Sequence, residues 1–311
     1  MLLDKALSHW GLDPNTEVTL LAERENRVYR LDIAKSTPTI LRVHRRDFRS
    51  NDEVESELQW MAQLSQKGLT VPLPLPAKDG TLFADIEGYQ VNRLSWLDGT
   101  PLGETNQPLQ IKDRVDTFHK IGETMAQLHK ISDDWELPAS FTRHHWNHDG
   151  LLGEQPLWDR FWENPQLSSH QLNIINEARS KASQVLLAKA ETLDYGLIHA
   201  DMVRENILLS DEGVQLLDFD DGGFGFRLFD VATALFKNRS ELDYPELEEA
   251  LIAGYHSVRS LDMQELRLFT LLRSFTYVGW IISRINESGS QQRADRFIET
   301  ATELAEEYLA P

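Results

Sequence analysis

Residues 195–230 run YGLIHADMVRENILLSDEGVQLLDFDDGGFGFRLFD, two short apolar segments that each close on a polar cluster. Leu197-Ile198, just after Gly196, leads into His199, Asp201 and Asn206; Val214 to Leu217 leads into Asp218, Asp220 and Asp221. Apolar runs bounded by Gly, Asp and Ser predict short buried strands. A carboxylate at the end of such a strand is held rigidly and can face a shared cleft. Asn206 follows Asp201 by five positions, so a loop can turn one side chain towards a substrate and the other towards a metal. Asp218 follows Asn206 by twelve, room for a strand, a turn at Asp211-Glu212-Gly213 and a returning strand. Such a hairpin carries Asp218 back beside the loop.

Upstream the pattern is antiparallel β. A short helix over 2–10 precedes predicted strands at Val18–Leu21 and Arg27–Ile33. The turn between them, through Glu25-Asn26, has no glycine and is no G-x-G-x-x-G phosphate loop. Thr39–His44 is the next strand, with Arg42 on the Ile40/His44 face by alternation. Val54, Leu58 and Met61 at helical spacing predict a helix over 51–67, with Gly68 in the capping position. Glu57 borders that apolar stripe. A carboxylate at the edge of a buried face needs a partner, and Arg42 is the natural candidate; a solvated helix carboxylate is the equal alternative. The alternate prolines of Val71–Pro76 exclude a central strand and predict an extended connector. Strands at Leu82–Ile86 and Tyr89–Leu94 complete a β-rich first lobe, residues 1–97.

Residues 98–311 read as helical, with predicted helices at 113–130, 172–190, 231–237, 246–258, 263–285 and 293–309. The class is therefore α+β, a small antiparallel lobe followed by a larger helical one. His119 and His129 lack the i, i+4 spacing of a helical zinc pair and read as structural. The run Arg143–Asp149, RHHWNHD, reads as a polar loop before a helix, and Leu157–Trp162 as the aromatic packing of a helical insertion.

The 311 residues easily bury a large core, and 31 Lys and Arg against 50 Asp and Glu leave a net charge of −19. Such a surface argues against nucleic acid. It suits a cationic small substrate, and equally plain solubility. With no cysteine there is neither a disulfide nor a thiolate metal site. The N-terminal residues lack the pattern of a signal peptide, and Arg273 and Arg284 punctuate the most apolar stretch, so a cytoplasmic protein away from membranes is expected.

Phosphoryl transfer from a nucleotide requires a carboxylate beside the attacking hydroxyl, oxygen ligands for magnesium and positive charge on the phosphates. The composite of His199, Asp201, Asn206, the hairpin and Asp218 supplies the first two. HADMVRENILL followed by LLDFDDGGFGFRLFDVA closely resembles the aminoglycoside phosphotransferase/choline kinase superfamily, small-molecule kinases with a protein-kinase-like bilobal fold. ENRVYRL, TILRVHR, the SELQWM helix and VPLPLPAKDG extend the resemblance over nearly the whole chain. It implies that Asp201 is the catalytic base or orients the acceptor hydroxyl, that Asn206 and Asp218 bind magnesium, and that Glu57 pairs with the strand cation gripping the nucleotide. Asp230 would brace the catalytic loop together with His199.

Asn26, Ser95 and Leu97 join Arg42 and Glu57 in the expected nucleotide site, for ATP with GTP left open. Asp220 and Asp221 are candidate substrate or second-metal contacts. The acceptor is a small hydroxylated molecule, with residues 140–170 as the substrate-side insertion. Two other readings are a stress-response type of protein Ser/Thr kinase and a nucleotide-binding module without turnover. The family's usual strand Lys is Arg42 here, and its loop residue is Ala200.

Overall fold

The computed structural model describes residues 2–23, 26–105 and 107–310. Arg24 and Glu25, in the predicted first turn, lie outside them. The chain opens with α1 (Leu2–His9), β1 (Glu17–Glu23), β2 (Arg27–Asp32), β3 (Thr39–Val43), α2 (Asn51–Gln66), β4 (Phe83–Ile86), β5 (Tyr89–Ser95) and β6 (Thr100–Pro101). It continues through α3 (Arg114–Asp133), β7 (His145–Trp146), α4 (His148–Leu152), α5 (Ser169–Lys189), β8 (Tyr195–Ile198), β9 (Ile207–Ser210), β10 (Gly213–Leu216) and β11 (Gly223–Phe226). Helices α6 (Arg227–Phe236), α7 (Tyr244–Val258), α8 (Leu266–Trp280) and α9 (Ser290–Leu309) close it. The α+β class and the kinase-like order, antiparallel sheet before helices, are those expected.

Contacts divide the chain into two compact units. One holds residues to Leu102 with Lys130–Arg143 and Asn206–Asp220; the other holds Gly103–His129, His144–Glu205 and Asp221 onward. The first unit is built on a five-stranded antiparallel sheet in the order β1-β2-β3-β5-β4. Leu31, Leu41, Val43 and Val91 from its strands pack with Ala6, Leu7 and Trp10 of the N-terminal segment. Ser50 and Glu53 start α2 with a reciprocal capping box, and Gly68 (φ 92°) follows its end. Its buried stripe is wider than the predicted three residues: Trp60 is also fully buried, its indole N–H donating to Ser132 Oγ at 2.9 Å.

The proline-rich stretch does more than connect. Ser95 N donates to Leu73 O and Leu75 N to Arg93 O, both at 2.8 Å, so the segment borders β5 through its non-proline residues. Pro74 falls between Leu73 and Leu75, and Pro72 and Pro76 flank them, at positions that donate to neither bond. The second sheet of this unit, β10-β9-β6, contains the predicted hairpin, with Ser210 opposite Gly213 and a two-residue Asp211-Glu212 turn.

In the second unit β11 pairs antiparallel with β8 and parallel with β7. Gly223 and Gly225 belong to β11. A Cβ on Gly223 would stand 2.5 Å from His144 O and one on Gly225 2.4 Å from Ile198 Cδ1, so only glycine fits this close strand packing. Helices α5, α6, α8 and α9 pack around one another. The apolar stretch predicted as a single helix over 263–285 is α8 followed by a short 3-10 turn at Ile282–Arg284. Among the described residues no helix is long and apolar enough to cross a membrane.

Candidate active site

The loop after β8 owes its shape to Asp230 in the first turn of α6. This fully buried carboxylate accepts from His199 N (2.8 Å, Oδ2) and Ala200 N (2.6 Å, Oδ1), and its Oδ2 lies 3.0 Å from His129 Nε2. His129 Nδ1 is 2.8 Å from the Tyr255 hydroxyl. Burial, and then Arg227, pushes His129 down to about 4, which leaves it a neutral ring in this network. Burial works against the Asp230 charge, yet bonds from His129 and His199 hold its pKa below the usual range. Ala200 takes a left-handed conformation (φ 64°) inside this clamp. That geometry favours glycine, and for alanine costs about 1 kcal/mol that the two bonds to Asp230 offset.

Asp201, partly exposed, follows immediately. Its Oδ1 accepts from Arg273 Nη2 at 2.7 Å, while Arg273 Nη1 donates to Ala200 O at 3.2 Å. The same Nη2 lies 2.9 Å from the Tyr277 hydroxyl. Arg273 is 3% exposed. Burial disfavours its charge, but Tyr277, Asp201 and Asp221 outweigh that and raise its pKa. One arginine from α8 thus fixes both the backbone and the carboxylate of the loop.

In the first unit Asn206 and Asp218 occupy the open end of the β9-β10 hairpin. The ladder pairs Ile207 with Leu216, and one step on Leu217 N donates to Asn206 O at 2.8 Å. Asn206 and Asp218 are therefore diagonal neighbours across the hairpin end. Asp218 is exposed and left-handed (φ 60°), a conformation aspartate tolerates.

Arg42 and Glu57 meet in the same unit. Arg42 Nη2 lies 2.6 Å from Glu57 Oε1, and Nε donates to Asn92 Oδ1 at 3.3 Å on the adjacent strand. A second cation, Arg143, stands 3.6 Å from Glu57 Oε2 and donates to Phe219 O and Asp220 O at 3.1 and 2.6 Å. Asp220 is buried beside these arginines: burial raises its pKa, but Arg49, His44, Arg42 and Arg143 hold it below the usual range. Burial likewise opposes the Arg42 charge, and Glu57, Asp220 and Asp218 more than offset it.

Asn26 Oδ1 accepts from Arg45 N at 3.2 Å, and Ser95 Oγ from Leu73 N at 2.8 Å. Leu97 is half-buried just beyond β5. The Asp221 carbonyl lies 2.9 Å from His144 Nε2 and accepts from Trp146 Nε1 at 2.8 Å, so the His-rich run, read as a loop, contains β7 and holds backbone. Sequence reasoning missed Arg143 and Arg273. The signal for Arg273 was present: a guanidinium in an apolar helix requires a buried partner.

A kinase-like fold with a loop aspartate on a clamped backbone and a strand arginine paired to a helix glutamate is compatible with a phosphotransferase. Residues 17–269 match the phosphotransferase enzyme family, and the chain belongs to it. It is 30% identical to a microcompartment-associated aminopropanol kinase, covering 99% of this chain and 96% of that one at a TM-score of 0.85. It is 28% identical to the homoserine kinase of Agrobacterium fabrum (strain C58 / ATCC 33970) over 265 residues, 84% of this chain and 77% of the relative. Amicoumacin kinase hAmiN, 20% identical with a TM-score of 0.77 over 97% of this chain and 92% of that one, shares the fold. The chain is an enzyme, a kinase that phosphorylates a hydroxyl group of a small molecule.

Proposed function

We propose that the protein transfers the γ-phosphoryl group of ATP to the hydroxyl of a small amino alcohol, with magnesium as the metal. The observation that supports this most directly is the Asp201 carboxylate, held by Arg273 at 2.7 Å on a loop whose backbone Asp230 clamps. A rigid carboxylate is what a positioned acceptor hydroxyl requires. Asp201 accepts the hydroxyl's hydrogen bond, aims its oxygen at the γ-phosphorus and receives the proton as the new P–O bond forms. The bond from phosphorus to the bridging oxygen breaks, and ADP leaves with that electron pair.

Asn206 and Asp218 fit magnesium by the chemistry of their donors. Both offer hard oxygens, and one is an exposed carboxylate. Among the described residues no three His, Cys, Asp or Glu side chains gather as a metal cluster, so magnesium bound by Asn206 and Asp218 would draw on further oxygen donors. Held by these two residues, magnesium would supply charge neutralisation on the phosphates. Arg42, kept in place by Glu57, adds fixed positive charge for the same phosphates, and Asn26, Ser95 and Leu97 line the nucleotide side. Residues 140–170 and Asp221 would belong to the acceptor side.

An amine on the acceptor is supported by the aminopropanol and homoserine kinases among the relatives and by the net charge of −19. Reliance on ATP puts the reaction in the cytoplasm. A coupled assay over amino alcohols, sugars, choline and casein tests the reading. Turnover is expected on amino alcohols and lost in Asp201→Asn, with ATP binding retained. Phosphate transfer to casein alone, or unchanged turnover in the variant, would overturn it.

A further inference from the structure

Lys237, at the C-terminal end of α6, is a half-buried ammonium. Its Nζ sits 4.2 Å from the Tyr277 ring centre and 5.1 Å from that of Phe297, with no hydrogen-bond acceptor or carboxylate paired to it among the described residues. Lys189, also half-buried, is by contrast ion-paired with Glu265. Burial first, and then Arg273, lowers the Lys237 ammonium to about 8, and Glu205 and Asp201 offset only part of this. A cation at a helix C-terminus gains about 0.3–1 kcal/mol from the helix dipole, which explains its position but not its burial against two rings.

Tyr277 links this lysine to the loop. Its ring carries Lys237, and its hydroxyl contacts the same Arg273 nitrogen that holds Asp201. The aromatic faces of this region already carry the protein's own cations: Arg273 lies over Tyr277 at 4.4 Å, and Arg284 over Trp280 at 4.3 Å. A quaternary ammonium would find those faces taken. An anion would find an ammonium that gains by pairing.

Building on the amino-alcohol reading, we infer that Lys237 is a specificity-determining residue that binds an acceptor carboxylate while the acceptor hydroxyl lies at Asp201. The acceptor is then a hydroxylated amino acid, its carboxylate on Lys237 and its amine towards the acidic side of the site. Lys237 lies one aromatic ring away from the Arg273–Asp201 pair.

Two matched pairs of acceptors test this on the full-length protein: homoserine against 3-aminopropan-1-ol, and threonine against 1-aminopropan-2-ol. Each pair differs only in the carboxylate. Lys237→Met keeps the stem that packs on the rings, and its melting temperature checks the fold. The wild type is expected to prefer the carboxylated member. In Lys237→Met the KM for that member should rise about 10–100-fold, the range of a charge-assisted hydrogen bond, with kcat and KM for ATP little changed. The decarboxylated member should be unaffected, and Lys237→Arg should recover part of the loss.

Equal effects on both members, a rise in KM for ATP, or a wild-type preference for the decarboxylated member would overturn the assignment to the acceptor carboxylate. If the wild type phosphorylates none of the four, the amino-alcohol reading fails. Thermal shift with homoserine or threonine then decides on Lys237 separately: stabilisation lost in Lys237→Met sustains the carboxylate site, and its absence overturns it.

Discussion

Arg42 reaches Glu57 at 2.6 Å with both side chains almost wholly buried, 5% and 0% exposed. A buried pair of this kind contributes little as an isolated contact, but removing one member leaves a charge without compensation. Glu57→Gln should therefore destabilise the protein by about 3–5 kcal/mol, since Arg42 and Arg143 both lose their carboxylate. Urea denaturation would show it, and a change below about 1 kcal/mol would contradict the burial on which the estimate rests.

Arg42→Lys keeps the charge but cannot hold Glu57 and Asn92 together. The expected result is a KM for ATP raised about 3–10-fold with kcat less affected, roughly one hydrogen bond's worth. Steady-state kinetics at saturating acceptor would measure the split.

Asp230→Asn places an amide N–H₂ against donors that now face carboxylate oxygens. One of the bonds to His199, Ala200 or His129 must be lost, at about 1.5–3 kcal/mol. We expect a melting temperature lower by several degrees and kcat reduced about 10–100-fold through misplacement of Asp201. ATP affinity should be preserved, and isothermal titration would establish that.

Arg273→Gln removes the cation from Asp201 and one of the donors to Ala200 O. A fall in kcat of about tenfold or more is predicted, with KM for ATP unchanged, because the contact aligns the carboxylate and not the nucleotide. Normal kcat in this variant would reduce Arg273 to a packing residue.

His129 links stability to pH. Its folded pKa of about 4 lies below the ordinary value of 6.5, so the unfolded chain binds more protons in the interval between them. The contribution of neutral His129 is fully present above pH 6.5 and is lost as the pH falls to about 4, an effect on the order of 2–3 kcal/mol. His44, also lowered to about 4 by burial and Arg42, acts in the same direction. Denaturation curves between pH 7.5 and 4.5 should show the loss, with a shallower slope in His129→Asn.

The order of antiparallel sheet before helices was readable from periodicity, and so was the hairpin between Asn206 and Asp218, because both depend on local pattern. The partner of Glu57 could be named but not decided, since solvation and pairing give the same spacing. Arg143 was beyond reach: its carboxylate lies 86 positions upstream, and nothing in RHHWNHD points there. Strand β11 was hidden in GGFGF because its glycines are required by approaching backbone and side-chain atoms, not by a turn. The start of α6 at Arg227 instead of Val231 has a similar origin, for tertiary bonds to Asp230 fix that helix end.

The N-terminal sheet unit is assembled from three separate stretches of chain, the last ending at Asp220. On a ribosome adding about 5–20 residues per second, roughly ten seconds separate the emergence of residue 102 from that of residue 220. During that interval Trp60 lacks Ser132 and Phe219, and Glu57 lacks Arg143. The nascent sheet is then a sticky, half-built surface that chaperones would recognise, and a fragment cut at residue 102 would be expected to aggregate, not to fold.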